Sequence, residues 1–150
     1  MEKPNHTIHK HSHHTVWDHS IEPVLSVAPN TRVEFEIIDS SGGQLSAKST
    51  TEDVSHIDFD KVNPVTGPIY IEGAKPGDTL EVVIEHFGTL SWGWTAIIPG
   101  FGLLSDQFKD PYLKIWDLNN QNVAEFAHGI EIPTQPFPGT IGVALAEAGE

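Results

Sequence analysis

The sequence predicts a mostly β domain, an antiparallel sandwich or jelly roll with little helix. Apolar and polar residues alternate over short runs, most clearly where Val33, Phe35 and Ile37 interleave with Arg32, Glu34 and Glu36, the period of a strand with one wet face. Eleven prolines and thirteen glycines punctuate these runs at short intervals. Almost no stretch carries the spacing of an amphipathic helix, which leaves sheets as the only layers able to enclose a core.

Residues 1–20 form a His-rich segment that holds six of the nine histidines, interrupted by Thr, Ile, Lys and Ser rather than contiguous. A His-rich terminus without fixed geometry is more often a solvated, adventitious metal binder than a designed site. His14 stands apart, because Trp17 is close enough in sequence to anchor the chain and hold that imidazole still. The β-rich body is residues 21–150. It begins with a strand over 23–27, a turn at 28–31 and an alternating strand over 32–39. Residues 40–43 and 50–53 read as loops.

His56, Asp58 and Asp60 would share one side of an extended segment, bringing an imidazole and two carboxylates together. The same alternation also describes the wet face of a short strand. From Asn63 the chain is tightly constrained. Pro64 and Pro68 fix φ and cannot donate, so the stretch to Gly67 reads as a shaped loop outside any ladder. Ile69, Tyr70 and Ile71 form a short strand. Lys75, Pro76, Gly77 and Asp78 have the composition of a type II turn. A strand over 79–85 then presents Leu80, Val82 and Ile84 on one face. The turns at 28–31 and 75–78 follow similar strands, which suggests two similar hairpin-like units.

The second half contributes an apolar strand around Trp92 and Trp94, a helical turn over 103–108 that contains Asp106, a strand over 112–118, and short strands around Phe126, Ile130 and Ile132. Pro133, Pro136 and Pro138 lead into an apolar strand over 140–146, whose unpaired edge is an expected point of self-association.

With 150 residues the chain suits one domain. A net charge of −13 and a pI near 4.9 argue against nucleic acid and anionic membrane surfaces as partners. There is no cysteine, so a metal would be held by nitrogen and oxygen. No apolar run approaches the roughly 18 residues of a membrane span, and the expected location is cytoplasmic. Phosphate-binding glycine loops and a nucleophile elbow are missing from the sequence.

The segments P-V-L-S-V-A-P-N, D-S-S-G-G-Q-L, V-N-P-V-T-G-P-I-Y-I-E-G-A-K-P-G-D-T-L, W-G-W-T-A-I-I-P-G-F-G-L-L, K-I-W-D-L and P-F-P-G-T-I-G-V-A resemble, in order, the N-terminal half of the acetamidase/formamidase family. The resemblance implies a cytosolic, metal-dependent hydrolase of small linear amides that yields ammonia and a carboxylate on a jelly-roll-like β fold. It also implies a divalent metal, zinc first and calcium as the alternative, and either a homo-oligomer or association with a C-terminal half. That second half carries D-x-H and G-D-G-E motifs expected to supply metal ligands. Asn30 stands where the family has Gly in a turn, and Leu145 and Ala148 stand where it has proline.

On this basis Asp58 and Asn63 are the candidate catalytic residues, with Asn63 orienting the substrate amide. His14, Asp58 and Asp106 are the candidate metal ligands, and Trp92 and Trp94 the candidate walls of a small substrate pocket. The 150 residues alone are expected to hydrolyse amides negligibly. A ligand- or carbohydrate-binding β-sandwich, or a structural fragment that folds against a partner half, are the alternative readings.

Overall fold

The computed structural model describes Pro4, residues 6–119 and residues 122–145. Asn120, Ala146 of the expected last strand, and Ala148 lie outside the described residues. The elements in chain order are β1 (His6–Ile8), β2 (His13–His14), β3 (Leu25–Val27), β4 (Val33–Phe35), α1 (Thr51–Val54), a 3-10 turn (Phe59–Lys61), β5 (Val65–Thr66), β6 (Ile69–Ile71), β7 (Trp92–Ile97), β8 (Tyr112–Asp117), β9 (Val123–Ala127) and β10 (Ile130–Pro133). The mostly β expectation holds.

The chain divides into two units, one drawn from Met1–Gly42, Asp60–Val83 and Gly139–Glu150, the other from Gly43–Phe59 and Ile84–Pro138. In the first unit β1 pairs in parallel with β4 and β3 in parallel with β6, while β2 pairs antiparallel with β5. Ile8 and Val27 are buried, as the inward residues of β1 and β3. The two Pro-containing turns form as the sequence requires. The Thr31 N–H donates to the Ala28 carbonyl at 3.3 Å with Asn30 at φ 66°, a left-handed conformation that Asn tolerates. Asp78 N–H donates to the Lys75 carbonyl at 3.0 Å, with Gly77 at φ 96° and the Asp78 carboxylate accepting from Lys75 N–H at 2.8 Å.

The two similar segments are not hairpins. The strands that precede the turns, β3 and β6, lie side by side in parallel, with Leu25 opposite Ile69 and Val27 opposite Ile71. Residues 79–85 form no strand, and the alternating strand expected over 32–39 is confined to β4, with Ile37 exposed. The pattern for a ladder is present there, but no partner strand is, among the described residues. For the same reason residues 140–144 carry no strand, and Leu145 makes only a single parallel bridge to Asp18. The loop before Gly67 does enter a ladder. Val65 and Thr66, between the two prolines, keep their N–H groups and pair with His14 and His13.

In the second unit, β7 and β8 pair over six residues each and β9 and β10 form a hairpin with a register shift beside Ile130. Val54, Leu45 and Ala124 are its buried apolar residues. The stretch at 50–53, expected as loop, starts α1. The Asp53 carboxylate accepts from Thr50 N–H at 2.6 Å and from the Thr50 hydroxyl at 3.2 Å, so the acidic residue closes a capping box. On one face of the sheet Lys114 lies 4.7 Å from the Trp116 ring and 5.9 Å from Phe126, and Trp116 Nε1 donates to the Thr95 hydroxyl at 2.9 Å. The helical turn expected near 103–108 is present as one turn, with Gln107 and Phe108 N–H groups both donating to the Leu104 carbonyl at 3.0 Å.

Candidate functional site

The N-terminal histidines are built into the first unit, not left as a loose tail. A turn brings Ser12 N–H to the His9 carbonyl at 2.9 Å and lets β2 run back along β5. On β2, His14 is half-buried and its Nδ1 lies 2.6 Å from the Val16 carbonyl. A carbonyl can only accept, so Nδ1 carries the proton and, in the neutral ring, Nε2 keeps its lone pair. This is the arrangement by which proteins orient an imidazole for metal ligation or proton transfer. The Trp17 indole packs edge-on to the ring, 6.3 Å between centroids at 84°. His13 repeats the pattern with the Lys10 carbonyl at 2.8 Å, but its side chain is exposed.

The strand opposite is held from three directions. Thr66 donates its hydroxyl to the Glu36 carbonyl at 2.8 Å, Gly67 its N–H to the Ser12 carbonyl at 3.0 Å, and Asn63 its N–H to the Ser40 carbonyl at 2.8 Å. Asn63 takes φ 52° in order to turn into β5. The loop it grips is rigid in its own right. Ser41 is fully buried, with its N–H donating to Asp39 Oδ1 at 2.9 Å and its hydroxyl donating to the same oxygen. His14 therefore lies in the two-residue ladder opposite Val65, and Asn63 precedes that ladder by two positions in the chain.

Two carboxyls of this unit are held below their ordinary range. Glu36 accepts from Lys10 N–H at 3.2 Å, the larger cause, and also pairs with His9 Nδ1 at 3.2 Å. Asp18 is lowered chiefly by the Ser20 N–H at 2.8 Å and further by the Ser20 hydroxyl. A cleft of about 410 Å³ in this unit is lined by His6, Thr7, Ile8, His9, Ser12, Val24 and Leu25, with neither His14 nor Asn63 on its wall.

The remaining candidates belong to the second unit. Asp58 is half-buried, and its backbone is clamped by Gln44, which accepts from Asp58 N–H at 2.8 Å and donates to the Asp58 carbonyl at 3.0 Å. The extended His56, Asp58, Asp60 arrangement is not formed. The 3-10 turn at Phe59–Lys61 breaks it, and His56 Nδ1 donates back to the Glu52 carbonyl at 3.0 Å. Asp106 is exposed on the turn after Leu104. Trp92 and Trp94 are half-buried on one face of β7, opposite Asp117 and Ile115 of β8.

Among the described residues no group of three or more His, Asp and Glu is placed to hold a metal ion. A hydrolytic metal site takes about three protein ligands and an open position. The donors described here do not complete one; His13, His14 and His56 each hold Nδ1 on a backbone carbonyl, and of these three His14 is the half-buried one. Gln44 could not have been read from the sequence, because its contact with Asp58 spans a loop and carries no local motif.

The profile of the Acetamidase/Formamidase family matches residues 1–148. The chain is 29% identical to an acetamidase of Mycolicibacterium smegmatis over 145 residues, covering 87% of this chain and 36% of that protein. It is 32% identical to a formamidase of Methylophilus methylotrophus over 112 residues, covering 71% of this chain and 28% of that one. Among solved structures, a predicted acetamidase/formamidase from Thermoanaerobacter tengcongensis superposes with a TM-score of 0.87 at 30% identity, over 96% of this chain and 47% of that chain. The chain thus spans about a third of the length of these curated relatives and about half of the solved one. With the match running through nearly every described residue and the fold agreeing, this chain belongs to the acetamidase/formamidase family.

Proposed function

We propose that these 150 residues form part of a hydrolase of small linear amides such as formamide and acetamide, releasing ammonia and a carboxylate. The observation that carries this reading is the collinear family match over residues 1–148. Hydrolysis requires water to add to the amide carbonyl carbon, the C–N bond to break and the nitrogen to leave as ammonia. In this reading His14 contributes an oriented imidazole, with Nδ1 spent on the Val16 carbonyl and Nε2 directed to chemistry. Asn63 offers its carboxamide to orient the amide. A divalent metal, zinc with calcium as the alternative, belongs to the reading with His14 as the donor from this chain. In this reading the other donors lie outside the described residues, which hold no group of three or more His, Asp and Glu placed for a metal ion. Cytoplasmic location and homo-oligomeric assembly of the complete enzyme are part of the same proposal.

Ammonia release from formamide and acetamide tests this. The chain is assayed alone and co-expressed with the region of the Mycolicibacterium smegmatis acetamidase that lies outside the match, with zinc and with chelator. Negligible release alone, and chelator-sensitive release from the assembly that disappears in His14→Ala, is expected. An assembly that forms and does not release ammonia refutes the amidase reading. Turnover by the isolated chain refutes the division of the site. Asp58→Asn, Asp106→Asn, Trp92→Ala and Trp94→Ala are read singly in the same assay, to test the other roles expected from the sequence.

A further inference from the structure

Two neighbours set the direction of the His14 ring. The Val16 carbonyl holds Nδ1, and the Trp17 indole meets the ring edge-on, 6.3 Å between centroids at 84°. The first contact is fixed by backbone, whereas the second depends on where a side chain that turns about two bonds comes to rest. The far end of that indole is met by the segment 139–145 of the same unit, at Gly142. A Cβ on Gly142 would lie 2.9 Å from Trp17 Cη2, 3.1 Å from Cζ3 and 3.3 Å from Cζ2, three consecutive atoms at the end of the ring remote from its attachment. Gly142 has no left-handed φ, so the space it leaves open, and not its backbone conformation, is what a side chain would disturb. The backbones on both sides of the contact are tied together. Ser20 N–H donates to the Asp18 carboxylate at 2.8 Å and Ile21 N–H to the Asp18 carbonyl at 3.3 Å, while the parallel bridge from Asp18 to Leu145 pins the segment three residues beyond Gly142. An added methyl is therefore relieved through the indole, which must retreat by about 0.5 Å to reach ordinary contact at 3.4 Å, and the same indole rests on His14.

We propose that Gly142 is a positioning residue for His14: by carrying no side chain it lets the Trp17 indole reach the place from which it buttresses the imidazole. A displacement of about 0.5 Å is the tolerance within which reacting groups must be held, so the methyl matters to chemistry at His14 although Gly142 touches neither the ring nor a substrate. The catalytic consequence rests on the amidase reading. The coupling from Gly142 through Trp17 to His14 is a property of the chain and is tested without turnover.

The His14 ring is followed by NMR in the full chain, its proton shifts reporting the ring current of the Trp17 indole and its nitrogen shifts the tautomer. Gly142→Ala should displace the His14 ring protons and the Trp17 indole signals while leaving the proton on Nδ1. Gly139→Ala adds the same methyl to the same segment, where it meets nothing within 4 Å, and should leave both sets of signals in place. On a Trp17→Leu background, Gly142→Ala should move His14 no further, because the intermediary is gone. Gly142 is exposed, so every variant should keep the far-UV circular dichroism of the parent. In the assembly used for the ammonia assay, Gly142→Ala should lower kcat about tenfold with KM little changed, and the loss should vanish on the Trp17→Leu background. Unmoved His14 signals in Gly142→Ala, an equal displacement by Gly139→Ala, an effect that persists without Trp17, or a circular dichroism spectrum lost in Gly142→Ala alone each overturns the proposal, as does unchanged turnover in an active assembly. An assembly that forms and releases no ammonia removes the amidase reading, and the spectra alone then decide whether Gly142 sets the His14 ring.

Discussion

Gly42→Ala is expected to be among the costliest single-methyl additions in this chain, and the neighbouring Gly43 supplies its control. Both glycines are left-handed, at φ 71° and 78°. Placing any other L-residue there costs about 1–2 kcal/mol. A Cβ on Gly42 would lie 2.2 Å from the Lys61 carbonyl oxygen, while one on Gly43 would meet nothing within 4 Å. Because the obstruction is backbone, no rotamer change relieves it, and the loop must move to reopen the contact beyond 3.0 Å. Overpacking of this kind adds about 1–3 kcal/mol. Gly42→Ala should therefore lose about 2–5 kcal/mol and Gly43→Ala only about 1–2 kcal/mol. With a urea slope of about 2 kcal/mol/M, the two unfolding midpoints should separate by about 0.5–1.5 M. Coincident midpoints would refute the argument, since the backbone conformations match and only the steric contact differs.

Removing the capping carboxylate by Asp53→Ala should cost about 1 kcal/mol, read as a midpoint shift in the same urea experiment; an unchanged midpoint would mean the Thr50 contacts do not stabilise α1. Val54→Ala, at a side chain 1% exposed, should cost about 1–3 kcal/mol, and a loss below that range in thermal melts would contradict its core position. Glu36 has its folded pKa depressed, so its contribution is present above the unfolded value and is lost as pH falls through the folded one. The protection factors of the β1 and β4 amides, taken against the free-peptide exchange rate at each pH, should accordingly fall under acid, and Glu36→Gln should remove that dependence; an identical acid profile in the variant would count against it. In the assembled enzyme His14→Ala should lower amide turnover about 100-fold or more, while Trp17→Leu, which frees the ring but keeps it, should lower it less. Equal losses would show that the imidazole is structural.

The readable parts of this fold were the local ones. The turns at 28–31 and 75–78 are fixed by Pro, Asn and Gly within four residues, and both form. The contact between Trp17 and His14 spans three residues and was also legible. What the sequence did not disclose depends on partners far along the chain. The segments ending at Val27 and Ile71 look like the first arms of two hairpins, yet they pair with each other, because period-two patterning specifies a strand without naming its neighbour. Residues 79–85 have a strand pattern and no ladder, which is the same ambiguity with the opposite outcome. The helix at 51–54 was hidden because its capping box uses Asp53 in place of the usual Glu or Gln. His14 was legible as a residue held still, but the tautomer was not, since the acceptor is the carbonyl of Val16 and a backbone oxygen carries no sequence signature.

The precision of that imidazole is borrowed. A two-residue ladder is marginal by itself, and Pro64 and Pro68 remove the donors that could lengthen it. The placement of β5 depends instead on the Thr66, Gly67 and Asn63 hydrogen bonds, each worth about 0.5–1.5 kcal/mol net. The Asn63 bond ends on Ser40, at the edge of the loop where Ser41 is buried on Asp39 and Gly42 lies under the Lys61 carbonyl. Loop, Asn63, β5 and β2 therefore form one mechanical series that ends at His14 Nε2. A loosened loop would leave the ring and its tautomer intact, because the Val16 bond is local, but would let the ring wander relative to Asn63. In the proposed amidase reading the reacting groups must be held within about 0.5 Å, so in that reading Gly42 and Ser41 support the placement of the imidazole from a distance.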